Sequence, residues 1–201
     1  MSENKAKEIV ILSDCSKDYK AGRLVYETLT DDKDYEGPRA IHPTKLHKLN
    51  NKDFKIHFFE IQDSYWPAIS NICRHCDGAA FVIDMEDYTE EGGAEFIKEW
   101  LINLDDLDKS EMKTIIIGVT KTDKAKDSKG IDEINKVAGD KKIDYIEVQI
   151  EEGKKDQPKA KKLLTDAFEK LAKLINSEAD DGDKNKGDDE MDEYLDKYKN
   201  F

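Results

Sequence analysis

The chain has 201 residues, a formal net charge of −13, 37% hydrophobic and 39% charged residues. That length suits one domain plus a tail, and the acidic balance argues against nucleic acid or an anionic membrane surface as the main partner, since both are bound by clustered Lys and Arg. Three cysteines, Cys15, Cys73 and Cys76, are too few for a disulfide framework. Met1 to Glu8 is polar and lacks the apolar stretch of a signal peptide. No run reaches the roughly 20 apolar residues of a membrane span, and the signals for prenylation and myristoylation are missing. The expected setting is cytoplasmic, with no direct membrane anchor and with any cytoskeletal association made through other proteins.

Glu8-Ile9-Val10-Ile11-Leu12 is an apolar, β-branched run and predicts a buried strand. A polar loop follows to Lys20, and Ala21 to Thr30 has helical spacing with Leu24, Val25 and Leu29 on one side. Asp31 to Pro43 is a loop marked by Gly37, Pro38 and Pro43. Lys45–Leu49 and Phe54–Ile61 flank Asn50-Asn51-Lys52-Asp53, which predicts a hairpin. Trp66 to Cys76 reads as irregular or helical, and Ala79 to Ile83 as a second buried strand. Glu90 to Leu107 predicts a long amphipathic helix with Phe96, Trp100, Leu101 and Leu104 on one face. Thr114 to Val119 is the most hydrophobic strand, Ile131 to Val137 a short helix, and Tyr145 to Val148 the last strand. Pro158 to Ile175 predicts the closing helix, with Leu163, Leu164, Phe168, Leu171 and Leu174 in register and Pro158 in its first turn.

Alternating strands and helices imply an α/β, three-layer architecture: a six-stranded, mostly parallel sheet with one antiparallel hairpin strand and helices on both faces. Residues 1–176 form the expected domain. Residues 177–201 are acidic and glycine-containing, and read as a largely disordered tail in which Met191, Tyr194, Leu195 and Tyr198 keep helical spacing for a short terminal helix.

Specific residues on this frame resemble the Ras-like small GTPases. Lys55 to Glu60 resembles the strand that ends in the family's magnesium-side aspartate. Cys76 to Asp84 is similar to its "R-G-A-D-G-x-x-x-V-Y-D" strand, and Phe96 to Leu101 to the "F-x-x-V-x-x-W" helix. Ile115 to Asp123 is similar to the strand carrying the guanine-reading "N/T-K-x-D" element, here Thr120-Lys121-Thr122-Asp123. The resemblance spans roughly Lys7 to Ile175 and implies a P-loop GTPase-like fold, with Thr120, Lys121 and Asp123 reading a guanine base and Lys17 and Lys20 nearest the phosphates.

The phosphate chemistry departs from that pattern. The family's loop needs G-x-x-x-x-G-K-[ST], whose glycines let backbone N–H groups surround the phosphates. Here Ser13 to Ala21 holds no glycine, and Asp14 and Asp18 put negative charge where a triphosphate would sit. The "D-x-x-G-Q" element reads Glu60-Ile61-Gln62-Asp63-Ser64, so the phosphate-sensing glycine and the water-orienting glutamine are both replaced. Thr44 is the candidate switch threonine, and the "S-A-K" element reads Gln149-Ile150-Glu151. The implied function is a pseudo-GTPase that binds other proteins in a larger assembly, with no catalytic residues. The alternative is a divergent GTP- or GDP-binding switch with little hydrolysis; an unrelated doubly wound protein fits less well, because of the hairpin.

Phe58, Tyr65 and Trp66 fall where Ras-like proteins contact effectors and form the expected docking patch. Cys73-Arg74-His75-Cys76 has half of a zinc spacing, but no second Cys/His pair exists, so no metal ligands are expected. His42, His47 and His57 lack ligand spacing and read as surface residues. Asp181 to Gly187 resembles a calcium loop but misplaces the glycine and the final glutamate, and reads as a linker.

Overall fold

The β-branched run at the amino terminus becomes β1 (Lys7–Asp14), whose Ile9, Val10, Ile11 and Leu12 are all fully buried. A strand apolar on both faces must be covered on both, and the computed structural model, which describes residues 6–14, 21–31, 43–61, 66–85, 92–120, 128–154 and 157–177, places β1 in the middle of a six-stranded sheet. In chain order the other elements are α1 (Ala21–Thr30), β2 (Thr44–Leu49), β3 (Lys52–Ile61), α2 (Trp66–His75), β4 (Gly78–Asp84), α3 (Gly92–Asp106), β5 (Lys113–Thr120), α4 (Ser128–Lys141), β6 (Asp144–Gln149) and α5 (Pro158–Ser177). The spatial order is β2-β3-β1-β4-β5-β6, with β2 antiparallel to β3 and every other pairing parallel. The expected fold class is therefore the observed one; of the expected tail, residues 177–201, Ser177 ends α5 and the remainder lies outside the described residues.

Alternation along the strands sorts the core into two layers. Ile9 and Ile11 of β1, Ala80 and Val82 of β4 and Ile115 and Ile117 of β5 face α1 and α5, meeting Val25, Leu29, Leu164, Phe168 and Leu171. Val10, Leu12, Phe81, Ile83 and Ile116 face the other way, toward Ile69 and Cys73 of α2, Ile97 and Trp100 of α3 and Ile134 of α4. Two periodicity details differ from expectation. On α5 the buried seam is Ala160, Leu164, Phe168, Leu171, Ala172 and Ile175, while Leu163 and Leu174 are 48% and 39% exposed; small alanines hold the seam because the helix lies close on the sheet. On α3 the buried set is Phe96, Ile97, Trp100 and Leu104, with Leu101 only partly covered.

The β2–β3 turn is tighter than the sequence suggested. Asn50 and Asn51 alone form it, both with positive φ (50° and 63°), because Leu49 already pairs with Lys52. Two left-handed residues in a two-residue loop match the right-handed strand twist, and asparagine tolerates that region better than most side chains. The Asn50 amide Nδ2 also donates to the Glu169 carbonyl at 2.7 Å, tying the turn to α5.

Candidate functional site

In an open α/β sheet, ligands bind outside the carboxyl ends of the strands where the order reverses. Here β3 and β2 lie on one side of β1 and β4 to β6 on the other, so that position is at the carboxyl ends of β1 and β4. The strand-end polar side chains Ser13, Asp84 and Thr120 are all buried, at 3–4% exposure. The ladder continues past the strands: Met85 N–H donates to the Val119 carbonyl and Ile150 N–H to the Thr120 carbonyl, both at 2.9 Å. Thr120 is thus part of the wall at the end of β5, and its carbonyl already holds the chain leaving β6.

The first turn of α1 is pressed onto this edge. A Cβ on Gly22 would lie 2.3 Å from the Ser13 Cβ and 2.7 Å from the Phe58 Cε2, so only glycine fits between α1 and the ends of β1 and β3. Phe58, expected in a docking patch, is a core residue: it is 3% exposed and stacks on Tyr26 of α1, with ring centroids 5.8 Å apart. Its side of β3 faces α1 because Phe54, Ile56 and Phe58 alternate inward. Lys17, Lys20, Tyr65, Lys121 and Asp123 lie outside the described residues, as does the side chain of Trp66, which begins α2. Of the expected base-reading and docking residues, Thr120 and Phe58 both have buried side chains, Thr120 at the carboxyl end of β5 and Phe58 within β3, level with Ile11 of β1.

A second group of polar residues crosses the opposite face, under α2. The parallel register pairs Glu8 with Lys55 and Val10 with His57, which puts Glu8 and His57 on one face of adjacent strands. The Glu8 Oε2 lies 2.8 Å from the His57 Nε2, and the Thr44 Oγ1, across the hairpin, lies 3.0 Å from the His57 Nδ1. Lys55 Nζ approaches the Glu8 Oε1 at 3.6 Å. Glu8 and His57 are both 2% exposed, so His57, read from the sequence as a surface residue, is buried. Asp77 closes the group: its Oδ2 accepts from the Glu8 N–H at 2.8 Å, its own N–H donates to the Glu8 carbonyl at 2.8 Å, and its Oδ1 pairs with Lys7 at 3.1 Å.

Cys76, between α2 and β4, reaches the same place: donor atoms of Glu8, His57 and Cys76 all lie within 4.8 Å of one another. Both described thiols are buried. Burial pushes the Cys73 thiol up to about 12. The Cys76 thiol is also raised well above its ordinary value, first by burial and then by Cys73, Glu8 and Asp77. At neutral pH both are protonated and poor nucleophiles. This group is invisible as a motif because its members come from β1, β3 and the α2–β4 connection. The available signal was that the inner strand of a hairpin is covered on both faces, so alternation along β3 does not expose His57.

No protein-family model matches the chain, and no curated protein matches it.

Proposed function

We propose that the protein is a non-catalytic, small-GTPase-like module that binds other proteins within a larger intracellular assembly. The connection from β1 to α1 carries this assignment. It joins a strand and a helix in the order a phosphate loop requires, yet residues 15–20 contain no glycine, and Asp14 and Asp18 stand at the sequence positions where the resemblance would seat a triphosphate. Two like charges at about 4 Å cost about 4 kcal/mol at an effective dielectric near 20. Without glycine-exposed amides and a following lysine and hydroxyl, phosphoryl transfer loses the electrostatic stabilisation that constitutes its catalysis. The mixed sheet with its single antiparallel edge strand is the architecture the resemblance implies. With the fold retained and the chemistry replaced, the surfaces are what remains to act. On the hairpin, β2 is the outermost strand and Leu46 is 58% exposed, which suits it to protein contact.

The second reading, a GTP- or GDP-binding switch, is favoured by one observation. Thr120-Lys121-Thr122-Asp123 begins at the carboxyl end of the buried β5, the position from which a base-reading loop would project. Native purification followed by denaturation and chromatography of the released small molecules separates the two. Scaffold function predicts no bound nucleotide, no turnover of added GTP and no thermal shift with GTP and magnesium. Stoichiometric GDP or GTP, lost on Lys121→Ala, would replace the scaffold with the switch.

A further inference from the structure

We propose that Glu8, His57 and Cys76 form a buried binding site for a divalent transition-metal cation, with zinc the best match. The donor set decides the class of ion. A carboxylate oxygen, an imidazole nitrogen and a sulfur suit zinc and its neighbours, whereas magnesium and calcium take oxygen ligands. All three side chains are at or below 2% exposure, and their donor atoms lie within 4.8 Å of one another.

The distances require only small movements. With metal–ligand bonds of about 2.0–2.3 Å in tetrahedral array, donor atoms sit roughly 3.3–3.8 Å apart. The Glu8–His57 contact of 2.8 Å would open by about half an ångström, and the sulfur would close by at most about 1.5 Å from the 4.8 Å limit.

The surroundings supply the outer contacts that metal sites carry. A ligating histidine usually gives its second ring nitrogen to an oxygen partner that fixes ring orientation and tautomer. With Nε2 on the metal, the His57 Nδ1 already faces the Thr44 Oγ1 at 3.0 Å. With the Glu8 Oε2 on the metal, its Oε1 faces Lys55 Nζ at 3.6 Å. A divalent cation, a thiolate, a carboxylate and a neutral imidazole sum to zero charge, which removes the main cost of burying the group. On binding, Cys76 would release its thiol proton to solvent, and the neutral His57 ring would carry its proton on Nδ1, toward the Thr44 Oγ1, leaving Nε2 free to ligate. The ion would join β1, β3 and the α2–β4 connection, fixing the sheet at the face away from α1 and α5.

The rival is a metal-free Glu8–His57 hydrogen bond beside an inert thiol. The purified 201-residue protein is treated with chelator, desalted and titrated with CoCl2, then with ZnCl2. A single Co2+ per chain is expected, with thiolate-to-cobalt charge-transfer absorption and tetrahedral d–d bands, both displaced by zinc, and with a rise in Tm. Cys76→Ser should lose the charge-transfer band, and Cys73→Ser should keep it. Thr44→Val, on an exposed edge strand, should weaken binding about 10–100-fold while leaving the chain folded. A wild-type protein with no stoichiometric cobalt or zinc and an unmoved Tm overturns the site. So does a charge-transfer band that survives Cys76→Ser. If Cys76→Ser fails to fold, the wild-type titration and Thr44→Val still decide.

Discussion

Gly22→Ala sets two effects of opposite sign against each other. In a helix interior alanine is better than glycine by up to about 1 kcal/mol, and the gain is smaller in a first turn. Against this, the new Cβ would stand 2.3 Å from the Ser13 Cβ, 2.8 Å from the Ser13 Oγ and 2.7 Å from the Phe58 Cε2. Carbon atoms pack at about 3.5–4.0 Å, so the overlap is more than about 1 Å with the Ser13 Cβ and about 1 Å with the Phe58 ring. Neither can retreat. Ser13 is held in the ladder between Glu60 and Val82, and Phe58 is stacked on Tyr26. The first turn of α1 must lift instead, uncovering part of Ala21 and Val25, which are buried against the sheet. Overpacking of this kind costs about 1–3 kcal/mol, so the net change is destabilising. Urea denaturation followed by far-UV circular dichroism should show a lower midpoint at unchanged slope. Ser13→Gly removes two of the three clashing atoms, so the double variant should be more stable than the sum of the singles, with a coupling of at least about 0.5 kcal/mol. A Gly22→Ala protein as stable as wild type, or strictly additive singles, would refute the packing of α1 on β1.

Phe168→Ala empties a fully buried position on α5 and should lower stability by about 3–5 kcal/mol, read from the same urea transition. At the hairpin turn, Asn51→Gly should hold or raise stability, whereas Asn51→Val should lower it by about 1–2 kcal/mol, since φ is +63° there. Burial raises the Tyr145 phenol from 10.0 to about 12, so its contribution to folding is complete below pH 10 and fades as pH climbs toward 12. Wild type should therefore lose more stability than Tyr145→Phe over that interval; equal losses in thermal melts at both ends would count against a buried phenol.

The fold was legible wherever apolar spacing was unambiguous. The bounds of α1 match the predicted helix, and β1, β4, β5 and β6 each extend the predicted runs by one or two residues at an end, because pairing continues past the last apolar side chain. The helix predicted over Ile131 to Val137 is twice that long in α4, whose flanking Asp140 and Lys141 are solvent-facing and give no hydrophobic period. On α5, Leu163 and Leu174 fit a helical stripe as well as Ala172 and Ile175 do, and only the sheet's position chooses between them. Phe58 and His57 illustrate the same limit at the site. Of these neighbours on one strand, Phe58 was expected in a docking patch and His57 on the surface, and both are buried, on opposite faces. Glu8 gave no signal, since a charged residue opening a strand is ordinary until Lys55 and His57 are brought beside it.

The bond from Asn50 to the Glu169 carbonyl has a consequence for synthesis. The hairpin made from residues 44–61 packs Leu49, Phe54 and Ile56 into the same layer as Leu164, Phe168 and Leu171. Those partners are more than a hundred residues later in the chain. As the protein leaves the ribosome, the face of its first three strands that α5 will cover stays open until that helix emerges, so a helix translated late closes the first layer begun. A nascent chain stopped before α5 would expose that layer and be a substrate for chaperones, while a chain that includes α5 would not.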